Sequence, residues 1–412
     1  MKIIRDPIHG YIEINEKVLP IIQNPLFQRL RYIRQTGLAY LVYPGMVHSR
    51  FEHSIGAMYL AKEFLRYIRE NSKASVDFID EGLIDLISSI ALVHDIGHLP
   101  FSHVFENAVR LANEIFGLNL PDYGNKLHEK IGIKIITQGL SKEFEKIGKD
   151  TTISDPISFA EHIMNGEPKN EIERLGRLII SNFIDCDRSD YLLRDSYYAG
   201  VDYGWFDIER LKRTLIYVDK KVAVLYKALP IAEQFLLSRM YMFENVYFHS
   251  VVGMYNAIMS YAIAKLLQKE IISLPETVNE ILNLIDPLIY LNLDKVGEEF
   301  KNAILYRHGF KRIKTDLTEK CLDKIDKSEI VDNIKSLDGL FLYHEFQDIP
   351  YKEFENSAFY MYTRDGRVVT LAEISPIVKS MQVIKKGIII YHESIENSQI
   401  VNKYKKMAEE CF

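Results

Sequence analysis

The chain is poor in cysteine, has no apolar leader at its start, no long apolar run free of polar residues, and no surplus of basic charge. Three cysteines (Cys186, Cys321, Cys411) share no metal-ligand spacing and are too few for a disulfide framework, so a reducing, cytoplasmic setting is expected. The opening residues, Met1-Lys2-Ile3-Ile4-Arg5-Asp6, lack a signal core. The most apolar stretch, Val251 to Leu267, carries Asn256 and Lys265 inside it, which predicts a buried helix and no membrane span. A formal charge of −6 argues against a chain built to coat nucleic acid, while leaving room for a local basic pocket around a phosphorylated small molecule. Internal repeats and low-complexity tracts are absent.

What is present is the composition of a soluble globular protein: 47% hydrophobic and 26% charged residues give both a core and a solvated surface. A length of 412 residues suits one large domain plus a smaller one. Residues 1–20 read as extended and turn-like, punctuated by Asp6-Pro7 and His9-Gly10. From Asn24 to about Leu267 the pattern is mostly helical. Pro25 opens a helix with Leu26, Leu30 and Ile33 on one face. Others run through Phe51, Ile55, Met58 and Leu65, from Leu83 to His94, from Ile179 to Tyr198, and from Phe235 to Leu267. Gly139–Asp155 and Gly166–Asn170 read as loops. After about Asp338 the texture changes to strands at Gly339–Tyr343, Ala358–Tyr362 and Gly387–Tyr391, with a hairpin turn at Arg364-Asp365-Gly366-Arg367. The expectation is a mainly α protein: a helical domain over 1–335 with an extended N-terminal segment, then a small α+β lobe over 336–412.

The richest chemistry lies at Leu92-Val93-His94-Asp95-Ile96-Gly97-His98. Adjacent helical residues diverge by about 100°, yet an imidazole and a carboxylate at a helix end can converge on one cation. Such a mixed N/O site suits a borderline or hard divalent metal. His53 and Asp187 could complete it, leaving open positions for water and a phosphate oxygen. From Asp187 a helix would align Tyr191, Arg194 or Asp195, and Tyr198 along one face, and Arg50 and Arg188 could grip phosphate oxygens. A solvated i,i+4 salt bridge explains Asp190 and Arg194 equally well. Downstream, His98, His103 and Glu106 form a second cluster in which the carboxylate at i+3 could orient His103 for proton transfer. His128-Glu129 repeats a histidine–acid pair.

His53…His94-Asp95…Asp187 resembles the HD-domain metal phosphohydrolases. The surrounding blocks narrow the resemblance: Asp6-Pro7-Ile8-His9-Gly10, Phe27-Gln28-Arg29-Leu30-Arg31-Tyr32-Ile33-Arg34-Gln35, Pro44-Gly45, His48-Ser49-Arg50-Phe51-Glu52-His53-Ser54 and His94 through His103. Together they are similar to the deoxynucleoside triphosphate triphosphohydrolase family, clearly over about residues 2–260. The fold this implies is an HD-domain helical core. The activity it implies is metal-dependent hydrolysis of a dNTP to deoxynucleoside and inorganic triphosphate.

By that resemblance His53, His94, Asp95 and Asp187 hold a divalent metal (Mn, Fe, Mg, Ni, Co or Zn), with Mg accompanying the nucleotide. His103, oriented by Glu106, handles a proton at the α-phosphate, and His98 and His128 support the phosphates, a second metal or the leaving oxygen. Arg50, Arg188, Tyr191 and Arg194 match triphosphate-binding positions. Gln35 and Asp195 match contacts to the sugar 3′-hydroxyl, and Tyr247 fills the space of a 2′-hydroxyl. Lys2, Gln23, Gln28 and Arg31 fall where relatives bind an activating nucleotide. Gln23 and Arg5, however, replace the Asp and Asn of a mammalian member, so effector preference should differ or activation be absent. The implied partners are a dNTP, a nucleotide effector and further copies in a dimer or tetramer; nucleic acid is not indicated. Two alternatives stay open: an HD phosphodiesterase or phosphatase acting on another nucleotide or single-stranded nucleic acid, and a non-catalytic nucleotide-sensing oligomer.

Overall fold

The computed structural model describes residues 2–72, 76–348 and 358–410. Its N-terminus is an antiparallel hairpin of β1 (Lys2–Asp6) and β2 (Gly10–Ile14), paired from Lys2↔Ile14 to Asp6↔Gly10. Asp6 Oδ1 accepts hydrogen bonds from the backbone N–H of Ile8 (2.8 Å) and His9 (2.9 Å), which is how the Asp-Pro start of this turn is held. Pro25 does open a helix, but only Pro25–Gln28, which tightens into a 3₁₀ turn over Arg29–Tyr32.

The helical body follows in α1 (Arg50–Ser72), α2 (Glu81–Val93), α3 (His103–Phe116), α4 (Leu127–Lys134), α5 (Ser141–Gly148), α6 (Glu171–Ile180), α7 (Cys186–Ala199), α8 (Leu229–Met242) and α9 (Ser250–Gln268). Helix α2 is apolar nearly all round (Leu83, Ile84, Leu86, Ile87, Ile90, Leu92 and Val93 are buried), which marks a central core helix. Its N-terminus is closed by Asp80, whose side chain accepts from Leu83 N at 2.7 Å. It packs on α1, α1 packs on α7, and α9 packs on α3. The apolar length of α9 is buried inside the protein.

Two expectations for the body are corrected. The stretch Ile179–Tyr198 is two helices, because Asp185 takes an extended conformation and caps α7, accepting from Arg188 N (2.6 Å) and Asn182 N (2.8 Å). This break places Asp187 in the first turn of α7. The segment Gly139–Asp155 is not all loop: α5 forms within it because Phe144 and Ile147 reach the core, and tertiary burial outweighs its polar composition.

The C-terminal strands build two small sheets. In one, β10 (Ile384–His392) pairs antiparallel with β5 (Phe310–Arg312), β6 (Leu317–Thr318) and β7 (Phe341–Asp348). The other runs β3 (Leu215–Val218), β4 (Lys221–Leu225), β8 (Tyr360–Tyr362), β9 (Val368–Thr370), with β4 and β8 parallel. Both sheets recruit strands from before residue 336, so the sheet-forming region starts earlier than the change in texture suggested. The buried apolar residues of body and sheets form one contiguous cluster from Ile12 to Ala408. Cys186 is buried and free.

Candidate metal centre and substrate cavity

Four ligand side chains meet where α1, the C-terminal end of α2 and the first turn of α7 converge. His53 Nε2 lies 3.1 Å from Asp187 Oδ1 and 3.5 Å from Asp95 Oδ2; His94 Nε2 lies 3.4 Å from Asp95 Oδ1 and 3.5 Å from Asp187 Oδ1. The other ring nitrogens are committed. His53 Nδ1 donates to Asp190 Oδ2 (2.8 Å) and His94 Nδ1 to the carbonyl of Ala91 (2.7 Å), leaving both Nε2 atoms buried without a hydrogen-bond partner. Two orphaned imidazole nitrogens facing two carboxylates are a donor set that fits a divalent ion. The electrostatics agree. Burial disfavours charge on His53, yet the neighbouring Asp187 and Asp190 carboxylates outweigh it and raise its pKa to about 10. Burial likewise opposes charge on Asp187, but His53 and His94 hold its carboxyl well below the usual range. The position demands a cation.

Two glycines make the centre possible. A Cβ at Gly56 would collide with the Asp190 carboxylate and the Arg194 guanidinium, so the glycine lets α7 side chains lie directly against α1. A Cβ at Gly97 would strike the His128 carbonyl and Gly132 N, so the turn after Asp95 lies directly against α4.

That contact brings the second cluster alongside. Glu106 is shared: Oε2 accepts from His103 Nδ1 (2.6 Å) and Oε1 from His128 Nδ1 (2.7 Å). Burial opposes charge on Glu106, but the two imidazoles keep its carboxyl well below the ordinary range. His98 stacks on His128 (ring centroids 3.9 Å apart), stands 3.4 Å from Asp95 Oδ1, and has neither nitrogen hydrogen-bonded. Burial, then Arg50 and His128, press its pKa far below the histidine norm. His103 itself is half exposed.

Both clusters open onto a cavity of about 400 Å³. It is lined by Asp95, Asp187, His98, His103 and His128 together with Gln35, Arg50, Tyr191, Asp195 and Tyr247. Asp195 is gripped from two sides, by His48 Nε2 (2.6 Å) and by the Tyr247 hydroxyl (2.7 Å), while Gln35 Oε1 is buried without a partner. Arg50 pairs with Asp95 and donates through Nε to Ser102 Oγ (2.9 Å).

Two assigned phosphate contacts lie elsewhere. Arg194 is fully buried and forms a fork with Asp190 (2.8 and 2.9 Å), with a third bond to Asp6 (2.9 Å). On α7, Asp187, Tyr191 and Asp195 share a face at i, i+4 and i+8; Arg194 sits on the edge of that face toward Asp190. The i,i+4 pair is therefore real, but buried instead of solvated. Arg188 is folded back onto Asp185 and the Asn182 carbonyl. Of the positions tied to an effector, Gln28 bonds Ile22 O (2.6 Å) and receives Arg31 Nε (2.9 Å), while Lys2 and Gln23 are exposed; none of the four lines the cavity.

Sequence reasoning passed over several residues. His9, Asp6 and His48 lie inside the sequence blocks that carry the resemblance but at spacings that point to no role, and helical spacing marks Asp190 only as a salt-bridge partner. Asp286 gave no signal. Its oxygens accept from Phe101 N (2.7 Å) and Arg34 N (2.9 Å), pinning the turn that presents Ser102 and His103. Phe101 and Ser102 both have positive φ (59° and 58°), a strain of about 1–3 kcal/mol each that this anchoring sustains.

Comparisons with known proteins agree with this geometry. An HD domain matches over residues 50–193 and an HD associated region over residues 206–407. An uncharacterised protein of Methanocaldococcus jannaschii is 32% identical over 396 residues, 93% of this chain and 76% of that one. A solved phosphohydrolase of Bacteroides thetaiotaomicron superposes with a TM-score of 0.72 at 25% identity, covering 95% of this chain and all of that one. The chain belongs to the HD-domain phosphohydrolase superfamily. A solved protein of Aquifex aeolicus matches this HD protein with a TM-score of 0.75 at 30% identity, covering 98% of this chain and 99% of that one. The deoxynucleoside triphosphate triphosphohydrolase SAMHD1 of Gallus gallus is 34% identical over 232 residues, which is 51% of this chain but only 36% of that relative's length. The chain spans about half of several other relatives, among them a Bacillus subtilis protein at 52%.

Proposed function

We infer that this HD protein hydrolyses deoxynucleoside triphosphates to deoxynucleoside and inorganic triphosphate. The observation that carries the reading is the continuity of one cavity, lined by Asp95, Asp187, His103 and His128 together with Gln35, Asp195 and Tyr247. His53, His94, Asp95 and Asp187 would hold a divalent ion, which would supply Lewis acidity at the phosphate. The side chains do the rest. Arg50 neutralises charge on the phosphate, and His103, held by Glu106, places a proton at the departing 5′-oxygen as water attacks the α-phosphorus. The P–O5′ bond breaks, the deoxynucleoside leaves as an alcohol, and the water oxygen stays on the triphosphate. Asp195 and Gln35 offer acceptors to the 3′-hydroxyl, and the Tyr247 ring takes the room of a 2′-hydroxyl. The SAMHD1 relatives, named for this activity, support the reading.

A second reading has one observation in its favour. Arg194 is buried in the interior and the partly exposed Arg188 is folded onto Asp185, so of the cations assigned to a triphosphate only Arg50 lines the cavity. That wall suits a less charged substrate, as an HD phosphatase or phosphodiesterase would take. Incubating the metal-loaded protein with each dNTP and resolving products decides between them. Free triphosphate and deoxynucleoside are expected. Monophosphate with pyrophosphate, or turnover confined to monophosphates or diesters, contradicts the proposal.

A further inference from the structure

The carboxylate that orients His53 is itself fixed from outside the segment that matches the HD domain. Asp190 is fully buried, and its two oxygens receive four bonds. Oδ2 accepts from His53 Nδ1 and Arg194 Nε (both 2.8 Å); Oδ1 accepts from Arg194 Nη2 (2.9 Å) and from His9 Nε2 (2.7 Å). His9 lies in the β1–β2 turn, 181 positions earlier in the chain. Its side chain is 3% exposed and its ring rests on Tyr59, with centroids 5.1 Å apart. The same turn closes the ring of contacts: Asp6 Oδ2 accepts from Arg194 Nη1, and Asp6 Oδ1 holds the backbone N–H of His9.

A metal-ligating imidazole donates its other N–H to a carboxylate that fixes its tautomer and heading, and loosening that partner commonly costs 10- to 100-fold in metal affinity. Four donors saturate Asp190, which leaves its carboxylate no freedom to rotate. His9 is the one donor among them contributed by the hairpin. Without it, a buried carboxylate oxygen keeps only its Arg194 contact, and the plane of the group that aims His53 is no longer set.

We propose that His9 is a positioning residue of the metal centre, and that docking of the N-terminal hairpin completes the site. The inference rests on the reading of His53 as a metal ligand and is independent of which phosphate compound is the substrate.

The test uses the full chain, metal-free, titrated with Mn²⁺ by calorimetry and followed by the Mn²⁺ electron paramagnetic resonance signal. His9→Leu should weaken Mn²⁺ binding roughly 10- to 100-fold. His9→Gln, whose amide can donate at similar reach, should recover most of it. Tyr11→Ala, an exposed change on the same hairpin, should bind as wild type does. Wild-type affinity in His9→Leu overturns the proposal, as does equal loss in His9→Gln and His9→Leu. If His9→Leu does not fold, His9→Gln carries the test: its Mn²⁺ spectrum should match wild type, and a changed spectrum with weakened affinity counts against the role. A wild-type protein that binds no Mn²⁺ defeats the metal reading itself, and the proposal with it.

Discussion

The cavity has two unlike walls. On the side built by the HD segment four imidazoles are backed by a partner, His53 by Asp190, His94 by the Ala91 carbonyl, and His103 and His128 by Glu106, while His98 is held by stacking on His128. On the side built by the HD associated region the lining is Phe243, Tyr247, Val252 and Asn256, largely apolar, with a polar edge where Tyr247 meets Asp195. Phosphoryl chemistry needs charges and lone pairs fixed in place, because preorganised dipoles cost nothing to reorient during reaction. Selection of a sugar and base needs shape. The contrast implies that changes on the first wall abolish turnover, whereas changes on the second redirect it.

The largest effect should come from Asp187→Ala. Removing a carboxylate shared by two imidazoles should reduce turnover to background in a steady-state assay across all four dNTPs. Residual activity within tenfold of wild type would dissolve the distinction between the walls. Next, Glu106→Ala should lower kcat by about 10²–10⁴ with little change in KM, since it releases both His103 and His128. A KM effect alone would mean that Glu106 serves binding.

On the opposite wall, Tyr247→Ala should shift preference toward ribonucleoside triphosphates by roughly 10- to 100-fold in relative kcat/KM while keeping dNTP turnover measurable. An unchanged preference would remove Tyr247 from sugar selection.

The smallest expected effect concerns Asp286, behind the strained turn between the walls. Burial raises its pKa from 3.8 to about 7, against the backbone N–H groups of Arg34 and Phe101 and the charges of Arg34 and Arg29. Between those values the folded chain holds a proton that the unfolded chain has released, so this group's contribution to stability falls as pH rises through the window. Asp286→Asn removes that titration. Wild-type stability relative to the variant should therefore decline between pH 4 and 7 by roughly 1–4 kcal/mol, read from denaturant unfolding at each pH. A constant difference would show that Asp286 titrates normally.

Part of the first wall was legible in the sequence, because His94-Asp95 and His103-Glu106 sit at short, helix-compatible spacings, whereas His53, on a separate helix, was tied to them by the family resemblance. The face from Asp187 to Asp195 was legible from helical spacing too. The i+7 position was the point of failure: on an ideal helix Arg194 lies about 20° from Asp187, on the edge toward Asp190, and its guanidinium turns inward to Asp190 and Asp6. The sharing of Glu106 with His128 needed the α3–α4 contact that Gly97 permits. Asp286, His48 and His9 act across chain separations of 147 to 252 residues, for which periodicity carries no information. The C-terminal strands were visible as apolar runs, but their partners Phe310–Arg312 and Leu317–Thr318 are too short to stand out alone.

The central claim is that metal holding and proton handling are separate tasks of adjacent clusters on one wall. Equilibrium Mn²⁺ stoichiometry of the wild-type, Asp187→Ala and Glu106→Ala proteins tests it most directly. The account predicts one tightly held ion in wild type and in Glu106→Ala, and none in Asp187→Ala. Equal loss of the ion in both variants would contradict it.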